Sequence, residues 1–188
     1  MRTIKTLLLA TLATITLSAT AQTKKIDVTK STINWVGKKV TGQHSGTLSI
    51  KSGALVFKKS KLAGGTFVVD MTTINTTDLK AGEGKEDLDG HLKSPDFFGT
   101  EKFPTATLVF KTLAAKTKGV YAITADLTIK GISNPISFDL ATAANSATTT
   151  LKVNRTKYDI KYNSGNFFQN LGDKVISDDF ELNVALKY

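Results

Sequence analysis

Strict alternation of apolar and polar residues runs through much of this chain and limits the folds that it can adopt. In the segment YAITADLTIKG, residues 121–131, the side chains at every second position from Tyr121 to Ile129 are apolar, and those between them are mostly polar. The final segment DFELNVALKY, residues 179–188, repeats the pattern. Because successive side chains of a β-strand point to opposite faces, this period predicts strands that are apolar on one side only.

The same alternation recurs along the rest of the chain. It includes the apolar residues Ile33, Trp35, Leu48, Ile50, Phe67, Val69, Leu108, Phe110, Ile136, Phe138, Leu140, Leu151 and Val153. We also interpret GALVF, residues 53–57, as a separate short strand, with glycine-containing turn signals at residues 51–53 and 63–65. The chain is therefore expected to form eight to nine strands, and their short connections favour an antiparallel meander that can close into a barrel.

Residues 79–94, LKAGEGKEDLDGHLKS, interrupt the alternation. Acidic residues precede Lys93 there, and Ser94 stands before Pro95, a position where helical geometry is disfavoured. We therefore predict a short helix within Lys85–Lys93. One helix in an otherwise all-β sequence indicates a barrel with a side helix, and a two-sheet sandwich is the alternative fold.

The first 21 residues have the three parts of a secretory signal peptide. Arg2 and Lys5 form a basic start, residues 7–17 are mostly apolar, and residues 19–21, ATA, form a small-residue cleavage site. The apolar stretch is shorter than the roughly 20 residues that a membrane-spanning helix needs. We expect cleavage after this segment, a single domain over residues 22–188, and a periplasmic or secreted location.

Composition and charge narrow the function classes. The chain has no cysteine, which excludes disulfides, thiolate metal sites and thiol nucleophiles. The formal net charge of +9 falls to +7 without Arg2 and Lys5, and the lysines are scattered along the predicted strands. A nucleic-acid-binding domain would cluster arginine with exposed aromatic residues, whereas Arg155 is the single arginine after residue 21. We expect a solvated basic surface and no nucleic-acid partner, and transient contact with an anionic membrane surface stays open.

The motifs of the common enzyme and metal-site classes are missing from the sequence. The segment GQHSG, residues 42–46, has the wrong spacing for the G-x-S-x-G elbow of serine hydrolases. His44 and His91 are far apart and no cysteine is present, so no zinc-ligand spacing is visible. The acidic segment KEDLDG would place Lys85 at the first ligand position of a calcium loop. We therefore predict no enzyme activity, no catalytic residue, no metal and no covalent cofactor.

Several longer motifs carry a family resemblance, in matching order and spacing. They are STINWVGKK (31–39), GQHSGTL (42–48), GGTF (64–67), HLKSPDFFGTEKFPTATLVF (91–110), ADLTIKGISNPISFDL (125–140), VNRTKYDIKY (153–162) and DDFELNVALKY (178–188). Together they resemble the YceI-like family across residues 22–188. The resemblance implies an all-β fold, a lipocalin-like eight-stranded antiparallel barrel with one short side helix.

The resemblance also implies a function, since members of that family are exported by bacteria and hold a long isoprenoid chain in an apolar tunnel. This chain would be an exported carrier or store for an amphiphilic lipid, either a polyprenyl phosphate or an isoprenoid quinone. Periodicity alone does not separate a hollow barrel from a filled one, because both need an apolar inner face. One alternative is a filled barrel that acts as a structural or protein-interaction module in the cell envelope. A second is an enzyme acting on lipids or quinones, and a monomer and a homodimer are both open.

A lipid-binding barrel needs an apolar lining and a site for the polar head group. The lining candidates are Ile33, Trp35, Leu48, Phe67, Val69, Leu108, Phe110, Leu127, Phe138 and Val153. Each could equally be a plain core residue, because both roles need the same side chain. Among the head-group candidates, His44 could lie at the barrel mouth, and Tyr162 could stack on a quinone ring. Arg155, the third, could clamp a pyrophosphate or pair with Asp159.

Residues 91–110 concentrate one histidine, two prolines and four phenylalanines. Under the resemblance, this segment leads from the side helix back into a strand. Its prolines would stiffen an irregular crossing, and Phe97, Phe98 and Phe103 would pack the crossing against the barrel.

Overall fold

Nine antiparallel strands and one α-helix form the fold of residues 21–188, which the computed structural model describes. The elements are β1 (Ala21–Lys25), β2 (Thr32–Lys39), β3 (Gly42–Lys58), β4 (Lys61–Thr76), α1 (Lys85–Lys93), β5 (Thr105–Thr117), β6 (Val120–Ile129), β7 (Ile132–Thr142), β8 (Ser146–Asn154) and β9 (Ile176–Lys187). Short 3-10 turns at Arg155–Tyr158 and Gly172–Lys174 lie between β8 and β9. The predicted signal peptide lies outside the described residues, apart from Ala21. Within residues 21–188, no helix has the length and apolar character needed to cross a membrane.

Strands β2 to β9 form a closed ring of eight. Each pairs antiparallel with the next along the chain, and β9 returns to pair with β2, from Thr32 opposite Ala185 to Lys39 opposite Ile176. Strand β1 lies outside the ring and pairs with the end of β3. The predicted eight-stranded antiparallel barrel with one side helix is confirmed, and the sandwich is excluded.

The connections divide the barrel into two ends. The upper end holds the β2–β3 turn, α1, the loop at residues 94–104, the β6–β7 turn and the connection at residues 155–175. The lower end holds the β3–β4, β5–β6 and β7–β8 turns and the last residue, Tyr188. Because successive strands run in opposite directions, alternate connections lie at opposite ends. The long, irregular connections within the ring therefore all lie at the upper end.

The prediction of GALVF as a separate strand is wrong, because residues 53–57 continue β3 without a break. The register with β4 shifts between Ile50 and Ser52. Residues 51–53, which were predicted to form a turn, therefore form a β-bulge within β3. The chain turns instead at Lys59 and Ser60, whose φ angles of 49° and 61° suit a tight two-residue hairpin. Neither residue is the glycine or asparagine that usually marks such a turn.

Glycines within β3 and β4 make room for inward aromatic rings. A Cβ atom at Gly53 would lie 2.7 Å from the ring of Phe67, and one at Gly65 would lie 2.6 Å from the ring of Phe110. Carbon atoms do not approach so closely, so only glycine lets these rings lie against the neighbouring strand. Gly53 and Gly65 are therefore required by packing inside the barrel and do not mark turns.

Helix α1 has the predicted bounds and is held to the end of β4 by Asp89. The Asp89 carboxylate accepts hydrogen bonds from the backbone N–H of Thr76 at 2.7 Å and from Nζ of Lys85 at 2.6 Å. Partial burial raises the pKa of Asp89, but these hydrogen bonds outweigh burial and hold the pKa below its usual value. A charged Asp89 therefore fixes the helix against the barrel.

The loop at residues 94–104 packs against the upper end of the barrel, as the sequence predicted. Phe97 is buried in the core, and Phe98 packs edge-on against Phe180 of β9, with ring centroids 6.2 Å apart. Phe103 lies beside the β6–β7 turn. Aromatic side chains thus cover much of the upper end.

The ring is least closed between β7 and β8. These strands pair at only two positions, next to their connecting turn, whereas every other pair of neighbours in the ring shares at least five. Further along, a hydrogen bond from Oγ1 of Thr149 to the carbonyl of Asp139 (2.7 Å) bridges the seam. The wall of the barrel is therefore weakest here, because fewer backbone hydrogen bonds hold it.

We expect Gly65→Ala to destabilise the protein by about 1–3 kcal/mol, because the added methyl group displaces the ring of Phe110. Gly64→Ala is the matched control, since a Cβ atom at Gly64 would lie 3.6 Å from Val56, an ordinary contact. Urea unfolding of both variants measures the difference. Equal free energies of unfolding for the two variants would contradict the packing role of Gly65.

We expect Asp89→Asn to lower the free energy of unfolding by about 1–3 kcal/mol at pH 7, since Thr76 and Lys85 lose a charged acceptor. The folded-state pKa of Asp89 is lowered, so its stabilisation is complete above the ordinary aspartate pKa of 3.8 and is lost as pH falls through the folded-state pKa. The difference from the parent protein should therefore vanish in strong acid.

Urea unfolding at neutral and strongly acid pH measures this difference. Asp87→Asn is the control, because Asp87 lies on the same helix with an exposed side chain and should show little effect at either pH. A loss for Asp89→Asn that stayed the same at both pH values would rule out the ionic role of Asp89.

Candidate functional site

Two apolar chambers lie inside the barrel, one above the other. The lower chamber is lined by Ile33, Ile50, Phe67, Val69, Leu108, Phe110, Leu127, Phe138, Leu140, Thr149, Leu151, Leu182, Val184 and Leu186. The upper chamber is lined by Trp35, Gly37, Lys38, Leu48, Ile74, Leu92, Phe97, Phe98, Arg155, Ile176, Ser177, Asp179, Phe180 and Leu182. Apart from Thr149, every side chain of the lower chamber is aliphatic or aromatic. The walls follow from the alternation, because the apolar face of each strand points inward.

Both chambers are narrow. Each has an open volume of about 80 Å³, room for two or three water molecules. Typical small-molecule pockets are several times larger, at roughly 300–1,000 Å³. A chain-like ligand can therefore occupy this interior only if lining side chains change their rotamers.

Leu182 of β9 is the residue, among those described, that lines both chambers. Its sheet partners are Trp35 on β2 and Leu151 on β8. Trp35 lines the upper chamber and Leu151 the lower. The passage between the chambers therefore runs past the side chain of Leu182.

Nine of the ten predicted lining residues lie on chamber walls. Trp35 and Leu48 line the upper chamber, and the lower chamber takes Ile33, Phe67, Val69, Leu108, Phe110, Leu127 and Phe138. Val153 is buried but belongs to neither wall, and its sheet partner Phe180 lines the upper chamber instead. Contact of these residues with a ligand stays a prediction.

The sequence analysis missed part of both walls. Strand residues such as Ile50, Leu140 and Leu186 have the same inward parity as the predicted residues, so the alternation could have identified them. Leu92 and Phe98 carry no such signal. They reach the upper chamber only because α1 and the following loop fold over the end of the barrel.

The upper chamber has a buried hydrogen-bond donor without a partner. Trp35 is 7% exposed, and its indole Nε1 has no hydrogen-bond partner among residues 21–188. Leaving such a group unpaired costs roughly 1–3 kcal/mol. The upper chamber therefore combines an apolar wall with a donor that an acceptor atom of a bound molecule could satisfy.

Arg155 lines the upper chamber, but its guanidinium group is largely committed to the protein. Its Nε donates to the carbonyl of Ser177 at 2.9 Å, its Nη1 to Ile160 at 2.9 Å and its Nη2 to Ile176 at 3.0 Å. Burial lowers the pKa of Arg155, and the nearby carboxylate of Asp178 raises it in part. Arg155 thereby joins the end of β8 to the start of β9.

Arg155 pairs with a carboxylate, but the partner is Asp178 and not Asp159, the example that the sequence suggested. Nη2 of Arg155 lies 3.6 Å from Oδ1 of Asp178, whereas Asp159 pairs with Lys161 at 2.8 Å. Asp159 follows the 3-10 turn in the left-handed conformation, with a φ of 58°, and is exposed. With three carbonyls and one carboxylate around it, Arg155 has a structural role that takes up most of its donors, so it is poorly placed to clamp a pyrophosphate.

The head-group candidate His44 lies outside both chamber walls. Its Nδ1 is 2.8 Å from Oδ2 of Asp78, and Oδ1 of Asp78 accepts a hydrogen bond from the backbone N–H of Ser45 at 2.9 Å. Partial burial raises the pKa of Asp78, but these two contacts outweigh burial and lower the pKa. His44 therefore ties β3 to the segment after β4, 34 positions along the chain.

The head-group candidate Tyr162 lies beside the upper chamber and not on its wall. Its ring packs edge-on against His91, with centroids 4.5 Å apart, and lies 5.6 Å from Phe97, a wall residue. Phe167 and Phe168, on the same connection, are 51% and 49% exposed. These residues form an aromatic rim, which we define as Tyr162, Phe167 and Phe168, at the upper end.

The chamber walls carry few groups suited to catalysis. Ser177 provides the hydroxyl of the upper wall, and its Oγ accepts a hydrogen bond from the backbone N–H of Asp179 at 3.2 Å. Neither histidine lines a chamber. Within residues 21–188, no group of three or more histidine, aspartate or glutamate side chains could hold a metal ion. The chamber walls are therefore mainly apolar surface.

The comparison with protein families agrees with this geometry. The family model described as the YceI-like domain matches residues 25–188. The chain belongs to the YceI-like family. The resemblance in the sequence motifs is thereby confirmed, and the match covers every strand of the ring.

Individual relatives of this YceI-like chain are distant. The UPF0312 protein of Staphylococcus aureus (strain USA300) is 36% identical over 86 residues, 40% of this chain and 47% of that protein. The chain thus spans about half the length of the curated relatives it matches.

Solved structures share the YceI-like fold. BcnA of Burkholderia cenocepacia matches with a TM-score of 0.68 at 19% identity, covering 86% of this chain and 98% of that chain. A polyisoprenoid binding domain from Saccharophagus degradans, implicated in plant cell wall breakdown, matches with a TM-score of 0.60 at 16% identity, covering 90% of this chain and 97% of that chain. At these identities the likeness concerns the fold.

We expect Arg155→Met to lower the free energy of unfolding by about 3–5 kcal/mol, because three backbone carbonyls lose their donor and the partly buried carboxylate of Asp178 loses its cation. Lys152→Met is the matched control, since Lys152 pairs with Asp179 on the exposed face of the sheet and contributes at most about 1 kcal/mol. Urea unfolding compares the two variants. A loss for Arg155→Met no larger than that of the control would disprove the structural role.

Proposed function

We propose that this YceI-like protein is an exported carrier or store for a polyisoprenoid lipid, either a polyprenyl phosphate or an isoprenoid quinone. The observation that carries the proposal is the apolar wall of two chambers that meet at Leu182. A prenyl chain in water needs apolar surface around it and no catalytic group. The inner face of this barrel supplies that surface along its axis.

The upper wall contains more polar residues than the lower wall, and this difference would give the bound lipid a direction. Its hydrocarbon chain would occupy the lower chamber. At that end of the barrel, the rings of Phe57 and Tyr188 pack together with their centroids 5.8 Å apart. The polar end of the lipid would occupy the upper chamber, whose wall includes Trp35 and Lys38. A head-group oxygen there would accept the hydrogen bond that Nε1 of Trp35 otherwise lacks.

The narrow chambers set an energetic condition on binding. Each methylene-sized group of a prenyl chain that leaves water contributes about 0.8 kcal/mol. Each lining side chain forced away from its preferred rotamer opposes binding by about 0.5–1.5 kcal/mol. A long chain therefore binds favourably when many of its carbons are buried and only a few side chains, among them Leu182, move.

The fold comparison supports the choice of ligand. The Saccharophagus degradans structure is that of a polyisoprenoid binding domain, and this YceI-like chain covers 97% of it. Identity between the two is 16%. The shared feature is therefore a barrel of the same architecture, and transfer of the ligand class to this chain is part of the proposal.

The exported location is also part of the proposal, and it rests on residues 1–21. Their basic start, apolar stretch and small-residue cleavage site are typical of a secretory signal. A carrier exported across the inner membrane would shield a prenyl chain from water while the lipid moves between membranes or between enzymes.

A filled barrel is the second candidate, and the small chamber volume favours it. About 80 Å³ in each chamber is close to the packing defects of an ordinary core. In that case the exposed Phe167 and Phe168 of the aromatic rim would form a contact surface for another protein. The protein would then be a structural or interaction module.

Mass spectrometry of an organic extract from the purified protein tests the proposal. We expect a stoichiometric isoprenoid, absent from an unrelated exported protein treated in the same way. In Leu182→Trp, which blocks the passage between the chambers, the amount of long-chain isoprenoid should fall at least about tenfold, a loss of 1.4 kcal/mol in binding. Asn183→Trp, an exposed neighbour on the same strand, should retain its lipid.

Circular dichroism must show that both variants are folded, and Leu182→Phe is a milder substitute if the tryptophan is not tolerated. Unchanged lipid content in a folded Leu182 variant would contradict a chain that passes between the chambers. An empty parent protein that also failed to bind added polyprenyl phosphates and quinones would instead establish the filled barrel.

A further inference from the structure

The positive charge of this protein is concentrated at the lower end of the barrel. Six exposed lysines there form what we define as the basic pole: Lys25, Lys58, Lys59, Lys61, Lys118 and Lys187. None of them forms an ion pair with a carboxylate of residues 21–188. Together with Lys24 they make up seven of the 23 basic side chains of residues 21–188.

The basic pole is assembled from segments far apart in the sequence. The β3–β4 turn supplies three of its lysines, the β5–β6 turn supplies Lys118, and the end of β9 supplies Lys187. Lys25 joins them because β1 pairs with the end of β3. The lysines are scattered in the sequence, but closure of the ring brings these connections to one end.

The aromatic residues of the pole are not available for stacking. Phe57 and Tyr188 are covered by Lys24, whose Nζ lies 5.3 and 4.9 Å from their ring centroids and donates to the carbonyl of Ala144 at 2.9 Å. The phenylalanines that are about half exposed, Phe167 and Phe168, lie at the opposite end. The pole thus presents lysine side chains with little exposed aromatic surface.

We propose that the basic pole docks this protein on a lipid bilayer surface that contains anionic phospholipids. Ammonium groups on several turns at one end of a barrel suit the diffuse negative charge of lipid head groups. Lysine can also contact nucleic-acid phosphates, but recognition of bases adds bidentate contacts, most often from arginine, and aromatic stacking. The pole has no arginine and little exposed aromatic surface. The lipid surface is therefore the partner that fits its chemistry.

Docking through the pole goes beyond the proposed cargo and does not depend on it. The upper chamber and the aromatic rim lie at the other end of the barrel, so a docked protein keeps them turned away from the bilayer. Contact with the membrane and exchange of a ligand would then use separate surfaces.

Vesicle sedimentation of the purified protein tests this inference. We expect binding to vesicles of phosphatidylglycerol and phosphatidylcholine, no binding to vesicles of phosphatidylcholine alone, and loss of binding as salt is raised. Combined replacement of Lys58, Lys59, Lys61 and Lys118 by glutamine should weaken binding at least about 100-fold, since each lysine near an anionic surface contributes roughly a factor of five.

The matched control replaces Lys80, Lys102, Lys157 and Lys174 by glutamine, which removes the same charge away from the pole. It should bind the anionic vesicles within a few-fold of the parent protein. Equal weakening in both variants would overturn the inference, because net charge and not the pole would then direct binding. Failure of the parent protein to bind anionic vesicles would also overturn it.

Three further measurements distinguish membrane docking through the pole from DNA binding, from the proposed cargo and from docking through the aromatic rim. Double-stranded DNA bound as tightly as the vesicles, and lost in the same pole variant, would overturn the assignment to lipid. Isoprenoid content of the pole variant should equal that of the parent protein, so an empty barrel would count against the proposed cargo and leave vesicle binding as an independent result. Phe167→Ser with Phe168→Ser should leave vesicle binding unchanged, and its loss would show that the rim docks instead.

Discussion

The antiparallel ladder between β9 and β2 is the interaction on which the rest of the structure depends. It turns a one-faced sheet into a ring, so that the apolar faces of eight strands enclose one interior. Trp35 and Leu182 are partners across this ladder and stand where the two chambers meet. Without closure, these walls would be the exposed face of an open sheet, and an apolar ligand would gain little from them.

Closure also explains why the interior is narrow. An eight-stranded barrel is just wide enough to be filled by its own side chains. Glycines on one strand let aromatic rings from the next lie flat inside, as Gly65 does for Phe110, and these rings take up much of the available width. The carrier and the filled barrel therefore differ in how easily a few side chains move, and the weak seam between β7 and β8 gives the wall some freedom to adjust.

The two ends of the barrel have different chemistry because chain connections of different kinds collect there. The upper end takes the long segments, with α1, the buried Arg155 and the aromatic rim. The lower end takes tight turns that carry lysine. The proposed head-group chamber and the proposed membrane-docking surface therefore lie at opposite ends of the barrel.

Most strands, the inward residues and α1 could be predicted without the structure, because alternation and helix signals act over a few residues and need no distant partner. The sequence also predicted nine wall residues through their parity alone. It misread the glycine at Gly53 as a turn, and it left Leu92 and Phe98 out of the upper wall. It also did not identify Asp178 as the partner of Arg155, or the lysines that meet at the lower end. Those features depend on which segments meet in space. They could be read only from the tertiary structure, because closure of the ring brings together residues that lie far apart along the chain.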